Sequence, residues 1–270
     1  MGKIYGSNKF TGTVDGVRHY KIENNDDIIV SGSGGPTADQ IKNNAAFART
    51  RENMAEMTPR SKLASTIKFN LGQWSITVVN RYMIGAINAA LRIAQKRNND
   101  EKRGKRSIYL SACKDVLNNL TYYYYKAFAE IMKCRYSVEI SADRRTLTIK
   151  LSNFNPNEQI KAPVEATHFQ LCSSIGAVCD QVYREEYEYF ASVYDRNRMK
   201  HSIKEFEGPW IPIDRKAMGD SILSVTFPED FILEDDMTVL STFGIVFGKM
   251  TSEVEPLRRN RGSIVFLGAV

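Results

Sequence analysis

Two periods of apolar side chains dominate this chain, a helical one in the front half and a two-residue alternation in the back half. From residue 136 the alternation is strict: Tyr136, Val138 and Ile140, then Leu147, Ile149 and Leu151, on either side of Ala142-Asp143-Arg144-Arg145. Residues two apart share one face of a strand, so this segment reads as a hairpin with one apolar face. Further strands are expected at 166–171, 181–191, 221–227, 238–249 and 263–270, with Pro and Gly between them, a spacing that suits an antiparallel sandwich. Residues 239–247 are nearly all apolar, as a central strand buried on both faces would be.

The front opens with a hairpin pattern. Residues 11–14 and 17–22 flank Asp15-Gly16, a pair suited to the positive φ angles of a tight primed turn, and a short strand at 28–30 follows. Gly and Ser at 31–35 and Pro36 break the pattern as a flexible connection. Thr37 with Gln40 has capping-box spacing and starts a helix. Thr58-Pro59 is expected to restart one, with Leu63, Ile67 and Leu71 on a single face. The broadest helical stripe is Tyr82, Ile84, Ile87, Ala90, Leu91 and Ala94; it ends in the charged run 95–106, expected to be an exposed loop. A last helical stretch is expected over 110–132. It contains four consecutive tyrosines, 122–125, which span more than one helical turn and suit a helix or strand wedged between layers.

These elements predict an α+β protein: an N-terminal β-hairpin and helical layer followed by an antiparallel β-sandwich. The expected divisions are 1–36 (hairpin and loop), 37–133 (basic helical region) and 134–270 (β-rich, sandwich-like). The length of 270 residues supports one large core or two modest ones. The start lacks the apolar stretch of a secretory signal, and the most apolar helix is interrupted by Asn80, Arg81, Asn88 and Arg92, so neither export nor membrane insertion is expected. A cytoplasmic location, or one inside a virion-like particle, is the expectation. Cys113, Cys134, Cys172 and Cys179 are then reduced, mostly buried thiols.

Familiar catalytic patterns fail one by one. Gly32-Ser33-Gly34-Gly35 lacks the Lys-Ser/Thr of a P-loop, and Pro36 interrupts its series of N–H donors. His168, Cys172 and Cys179 have ligand chemistry, but on a strand His168 and Cys172 lie roughly 13 Å apart, too far for one zinc. There is no Gly-x-Ser-x-Gly elbow. The acids at 185–188 and 234–236 read as solvated charge, Glu186 and Glu188 sharing one strand face. No enzyme, metal or cofactor is expected.

Charge distribution carries more information than its sum. Between residues 42 and 106 fourteen cations face four acids, a net +10; the whole chain carries +6, so the remainder is at −4. Such polarity steers a polyanion to one end or docks the acidic part of a second copy. The candidate nucleic-acid-binding residues are Arg49, Arg51, Arg60, Lys62, Lys96, Arg97, Lys102, Arg103, Lys105 and Arg106, for DNA or RNA, although no helix-turn-helix, zinc-finger, RRM or KH pattern accompanies them.

Residues 44–57 contain Phe47-Ala48-Arg49-Thr50-Arg51-Glu52-Asn53. They resemble a segment of uncharacterised Bacteroidota proteins in which a short hairpin precedes a Phe-x-Arg-Thr-Arg-Glu-Asn stretch, helices and a β-rich end. Residues 166–169 and 244–247 fit that outline; Met57, where an aromatic is expected, and the basic loop near Arg97 depart from it. The resemblance implies an order of elements and no activity. In physical terms the arginines, carboxylate and amide of this stretch suit fastening the hairpin to the helices. The expected function is a non-enzymatic structural or assembly protein that forms a homo-oligomer, of the kind phages and mobile elements use; the alternative is nucleic-acid binding through the basic helices.

Overall fold

The computed structural model describes residues 2–4, 10–22, 27–32, 34–77, 83–117, 121–123, 126–194, 199, 202–257 and 262–270. It is an α+β chain that divides into two compact units, Met1–Arg51 and Glu52–Val270.

The first unit is a four-stranded antiparallel sheet followed by a short helix. Its strands are β1 (Gly2–Ile4), β2 (Gly12–Val14), β3 (Val17–Lys21) and β4 (Ile28–Gly32), in the order β1-β4-β3-β2. The β2–β3 hairpin turns at Asp15 (φ 48°) and Gly16 (φ 75°), the two positive angles that the sequence pair was suited to. Helix α1 (Ala38–Asn43) starts with the expected capping box. The Thr37 hydroxyl accepts from the Gln40 N–H, and the Gln40 side chain accepts from the Thr37 N–H. Helix α2 (Ala48–Phe69) runs across the boundary between the units.

In the second unit helix α3 (Met83–Arg97) follows α2. Next come β5 (Thr121–Tyr123), α4 (Phe128–Ile131), β6 (Tyr136–Ile140), β7 (Thr146–Phe154), α5 (Pro156–Gln159), β8 (His168–Val178), β9 (Gln181–Arg184) and β10 (Tyr189–Ser192). The chain finishes with β11 (Ile203–Glu207), β12 (Ile211–Pro212), β13 (Gly219–Thr226), β14 (Thr238–Met250), β15 (Val254–Pro256) and β16 (Ser263–Ala269). Seven strands form one antiparallel sheet in the order β11-β8-β14-β16-β5, with β12 added to β8 and β15 to β14. A three-stranded sheet, β13-β7-β6, and the hairpin β9–β10 account for the other strands among the described residues of this unit.

Strand parity sorts the apolar residues of the large sheet into two cores. Phe169, Leu171, Ile175 and Ala177 of β8, with Val239, Phe243, Ile245 and Phe247 of β14, pack with Leu147, Ile149, Leu151, Leu223 and Val225 of the small sheet. On the opposite face Cys172, Val178, Leu240, Val246, Ile264 and Phe266 pack with Leu63, Ile67, Ile87 and Leu91 of the helices. The unit is therefore layered as helices, large sheet, small sheet, and β8 and β14 are buried on both sides, as the apolar run at 239–247 implied. Gly244 sets how closely the helical layer approaches: a Cβ there would lie 2.2 Å from the Trp74 ring. Asn70, at the end of α2, ties that layer to β8 by donating Nδ2 to the Ala177 carbonyl at 2.9 Å.

Several local expectations are overturned. Residues 110–132 are not one helix but a turn, a single 3-10 turn (Lys114–Leu117), β5 and α4. The unpaired edge of β16 takes up residues 121–123 as a partner strand, and Tyr and Thr suit a strand. Tyr124, Tyr125 and Tyr82 lie outside the described residues. Thr58-Pro59 does not restart a helix, because Pro59 is buried inside the continuous α2. Proline leaves the Ala55 carbonyl without its helical donor, while side chains bond the carbonyls on either side of it: Thr58 Oγ1 donates to Met54 O and Arg60 Nε to Glu56 O. Residues 181–191 are a hairpin, not one strand; Glu185, Glu186 and Glu188 occupy its turn, with Glu188 at φ 51°. No helix among the described residues is long and apolar enough to cross a membrane.

Candidate functional site

The basic region is organised around two acids and an amide on one side of α2. Glu52, Asn53 and Glu56 lie within a turn of one another, and the charged run after α3 folds back onto them. Arg103 Nη2 donates to Asn53 Oδ1 at 2.7 Å, and its Nε lies 3.8 Å from Glu52. Glu56 Oε1 accepts from the Gly104 N–H at 2.9 Å and from Arg106 Nε at 2.7 Å, while its Oε2 accepts from Arg106 Nη2 at 2.9 Å. Gly104 is needed twice over. Its φ is +91°, and a Cβ would sit 3.3 Å from the Glu52 backbone. The run at 95–106 is therefore not the freely exposed loop expected from its charge: Gln95 and Gly104 are buried and Arg106 is half-buried. Ion pairing to α2 supplies the reason.

Burial pushes the Glu56 carboxyl up, but the Arg106 guanidinium, the Gly104 N–H and Arg60 outweigh it and hold it below the ordinary carboxylate range. From the other side of the loop, Gln95 Nε2 donates to the Arg106 carbonyl at 2.7 Å. Glu101 accepts from the Ser107 N–H and hydroxyl. Ser107 Oγ in turn accepts from the Tyr183 N–H at 3.0 Å, which joins the loop to β9.

The ten candidate residues separate into groups. Arg97 makes a bidentate pair with Asp115 at 2.6 and 2.7 Å. Lys105 bonds Glu185 at 2.7 Å and lies 5.0 Å from the centre of the Tyr183 ring. Arg103 and Arg106 close the clamp on α2. Arg51 donates Nη1 to the carbonyls of Ile41 and Asn44, so it fastens the turn after α1. Arg60 is half-buried and bonds the Glu56 carbonyl at 3.0 Å. Arg49 is exposed on the first turn of α2. Lys62, Lys96 and Lys102 are exposed and have no carboxylate partner among the described residues.

Sequence reasoning missed Glu56 as the hub. Its one signal was being among four acids in a region of fourteen cations. It also missed Asp180, which is buried after β8 and accepts from the Ser111 N–H at 3.0 Å and the Ser111 hydroxyl at 2.6 Å. Burial raises this carboxyl despite those bonds. His168 and Cys172 share β8, the strand on which the spacing argument depended. No group of three or more His, Cys, Asp or Glu side chains among the described residues could hold a metal ion. Comparison of the chain with protein families, curated proteins and solved structures finds no match, so the functional reading rests on these residues alone.

Proposed function

We propose that this is a non-catalytic assembly protein that associates with copies of itself through its N-terminal sheet. The observation that carries the reading is how little that sheet buries. Among the described residues of the first unit only Ile28 and Ile29 are buried apolar side chains, while Phe10, Val14, Tyr20 and Ile22 stand exposed. A unit of this size needs a larger apolar core to be stable in water. A second copy offers the same edge and the same apolar side chains at equal concentration, which is the condition for a symmetric contact. Charge supports the same partner. Lys62, Lys96 and Lys102 are exposed cations without described partners, and Glu186, Glu188 and Glu229 are exposed acids in the same condition.

The edge strand gives the test. Val14 and Val17 flank the two-residue turn and form its hydrogen-bonded pair, so the Thr13 N–H points away from the hairpin. Thr13→Pro removes that outward donor and leaves the hairpin bonds intact. Light scattering on a sizing column should show an oligomer for the wild type and a shift toward monomer for Thr13→Pro. A wild-type mass equal to one chain at every concentration would overturn the proposal.

A further inference from the structure

Around Glu56 the positive charge is in excess. Both carboxylate oxygens are taken by Arg106 and Gly104. Arg60, one turn further along α2, donates its Nε to a main-chain carbonyl, which leaves its two terminal amino groups without a described partner. Arg92 on α3 makes no hydrogen bond or ion pair with a described residue. Its helix brings it to the same place: Gln95, one turn beyond Arg92, holds the Arg106 carbonyl at 2.7 Å. Three guanidiniums and one carboxylate leave two positive charges uncompensated on three converging elements. Burial lowers the pKa of Arg60; Glu56 opposes the change, and repulsion from Arg92 and Arg106 adds to it. Arg60 and Arg106 are half-buried and Arg92 is exposed beside them, and holding these like charges together costs free energy that an anion would relieve.

We propose that Arg60, Arg92 and Arg106 form a phosphate-binding site, receiving either a small phosphorylated molecule or a backbone phosphate of a nucleic acid. A guanidinium presents its donors as a planar fork that matches the oxygens of phosphate, and the two unmatched charges equal those of a phosphate dianion. Because Arg106 is held by Glu56, which the Gly104 N–H also fixes, one wall of the site is rigid before any ligand arrives. The two terminal groups of Arg60 and the whole fork of Arg92 supply the free donors. This goes beyond the assembly reading and does not depend on it.

The test uses the full chain. Inorganic phosphate is titrated against sodium chloride of equal ionic strength while thermal unfolding is followed. A short single-stranded oligonucleotide is titrated separately, with and without phosphate. Arg92→Ala is the informative variant, since it removes no described contact; its melting temperature without ligand checks that it folds. Lys68→Ala, at the other end of α2, is the control. Phosphate should raise the wild-type melting temperature beyond the chloride effect, and Arg92→Ala should weaken binding about tenfold, while Lys68→Ala leaves it unchanged. Oligonucleotide binding that phosphate displaces and that needs Arg92 identifies a backbone phosphate. Phosphate binding without oligonucleotide binding identifies a small phosphorylated ligand. The proposal is overturned if neither ligand binds, if Arg92→Ala binds like wild type, or if Arg92→Ala changes only the association state.

Discussion

Glu56→Gln is the sharpest single perturbation of this structure, because it keeps the shape of the side chain and removes the charge at the hub. In the native protein the Glu56 side chain is 8% exposed and that of Arg106 is 15% exposed, so water does little to compensate either ion. Three hydrogen bonds converge on the carboxylate, two of them from the guanidinium. Breaking a buried pair from one side costs about 3–5 kcal/mol, much of it from the charge left behind. The amide retains one good acceptor, so the expected cost is about 3 kcal/mol, near the lower end. For a unit of this size that corresponds to a melting temperature about 6–12 °C lower. With a urea m-value of about 3 kcal/mol per M, it is a midpoint about 1 M lower.

The pH dependence has a definite sign. The folded pKa of Glu56 lies below its ordinary value, so its contribution is complete at neutral pH and is lost as pH falls through the folded value. Glu56→Gln should therefore lose part of the wild-type acid sensitivity along with the stability. Replacing both partners, Glu56→Met with Arg106→Leu, should recover much of the loss, because a buried pair exchanged for apolar side chains is often neutral. A loss below about 1 kcal/mol for Glu56→Gln, with an unchanged acid limb, would refute the idea that the clamp is coupled to the fold.

Two further outcomes test the packing. Gly244→Ala places a methyl group 2.2 Å from the Trp74 ring, and should cost about 1–3 kcal/mol or more in chemical denaturation. A second substitution, Trp74→Leu, should recover part of that cost, and a fully stable Gly244→Ala would show that the notch is not filled as described. Among the cysteines, Cys113 is partly exposed while Cys134, Cys172 and Cys179 are buried, and burial pushes the Cys172 thiol far up. A thiol reagent at neutral pH should therefore modify Cys113 first and Cys172 only on unfolding; fast native labelling of Cys172 would contradict its place between β8 and the helices.

Local chemistry alone determined a good part of this protein. The turn at Asp15-Gly16, the Thr37–Gln40 capping box, the 136–151 hairpin and the buried faces of Leu63, Ile67 and Ile87 depend on neighbours within a few residues. Periodicity reports such features directly. The doubly covered strand at 239–247 was legible too, since no charged residue and only Ser241 and Thr242 interrupt its apolar run. Only the tertiary structure decided the rest, because the deciding partner lies far off in sequence. Residues 121–123 became a strand because the edge of β16 was there to pair with. Pro59 stayed inside a helix because packing on α2 and side-chain bonds to nearby carbonyls outweighed one lost backbone bond. The basic region looked like a free cationic surface until Arg106 met Glu56, fifty positions earlier in the chain. A sequence shows how many charges a chain has, whereas which of them neutralise one another depends on distances that exist only after folding.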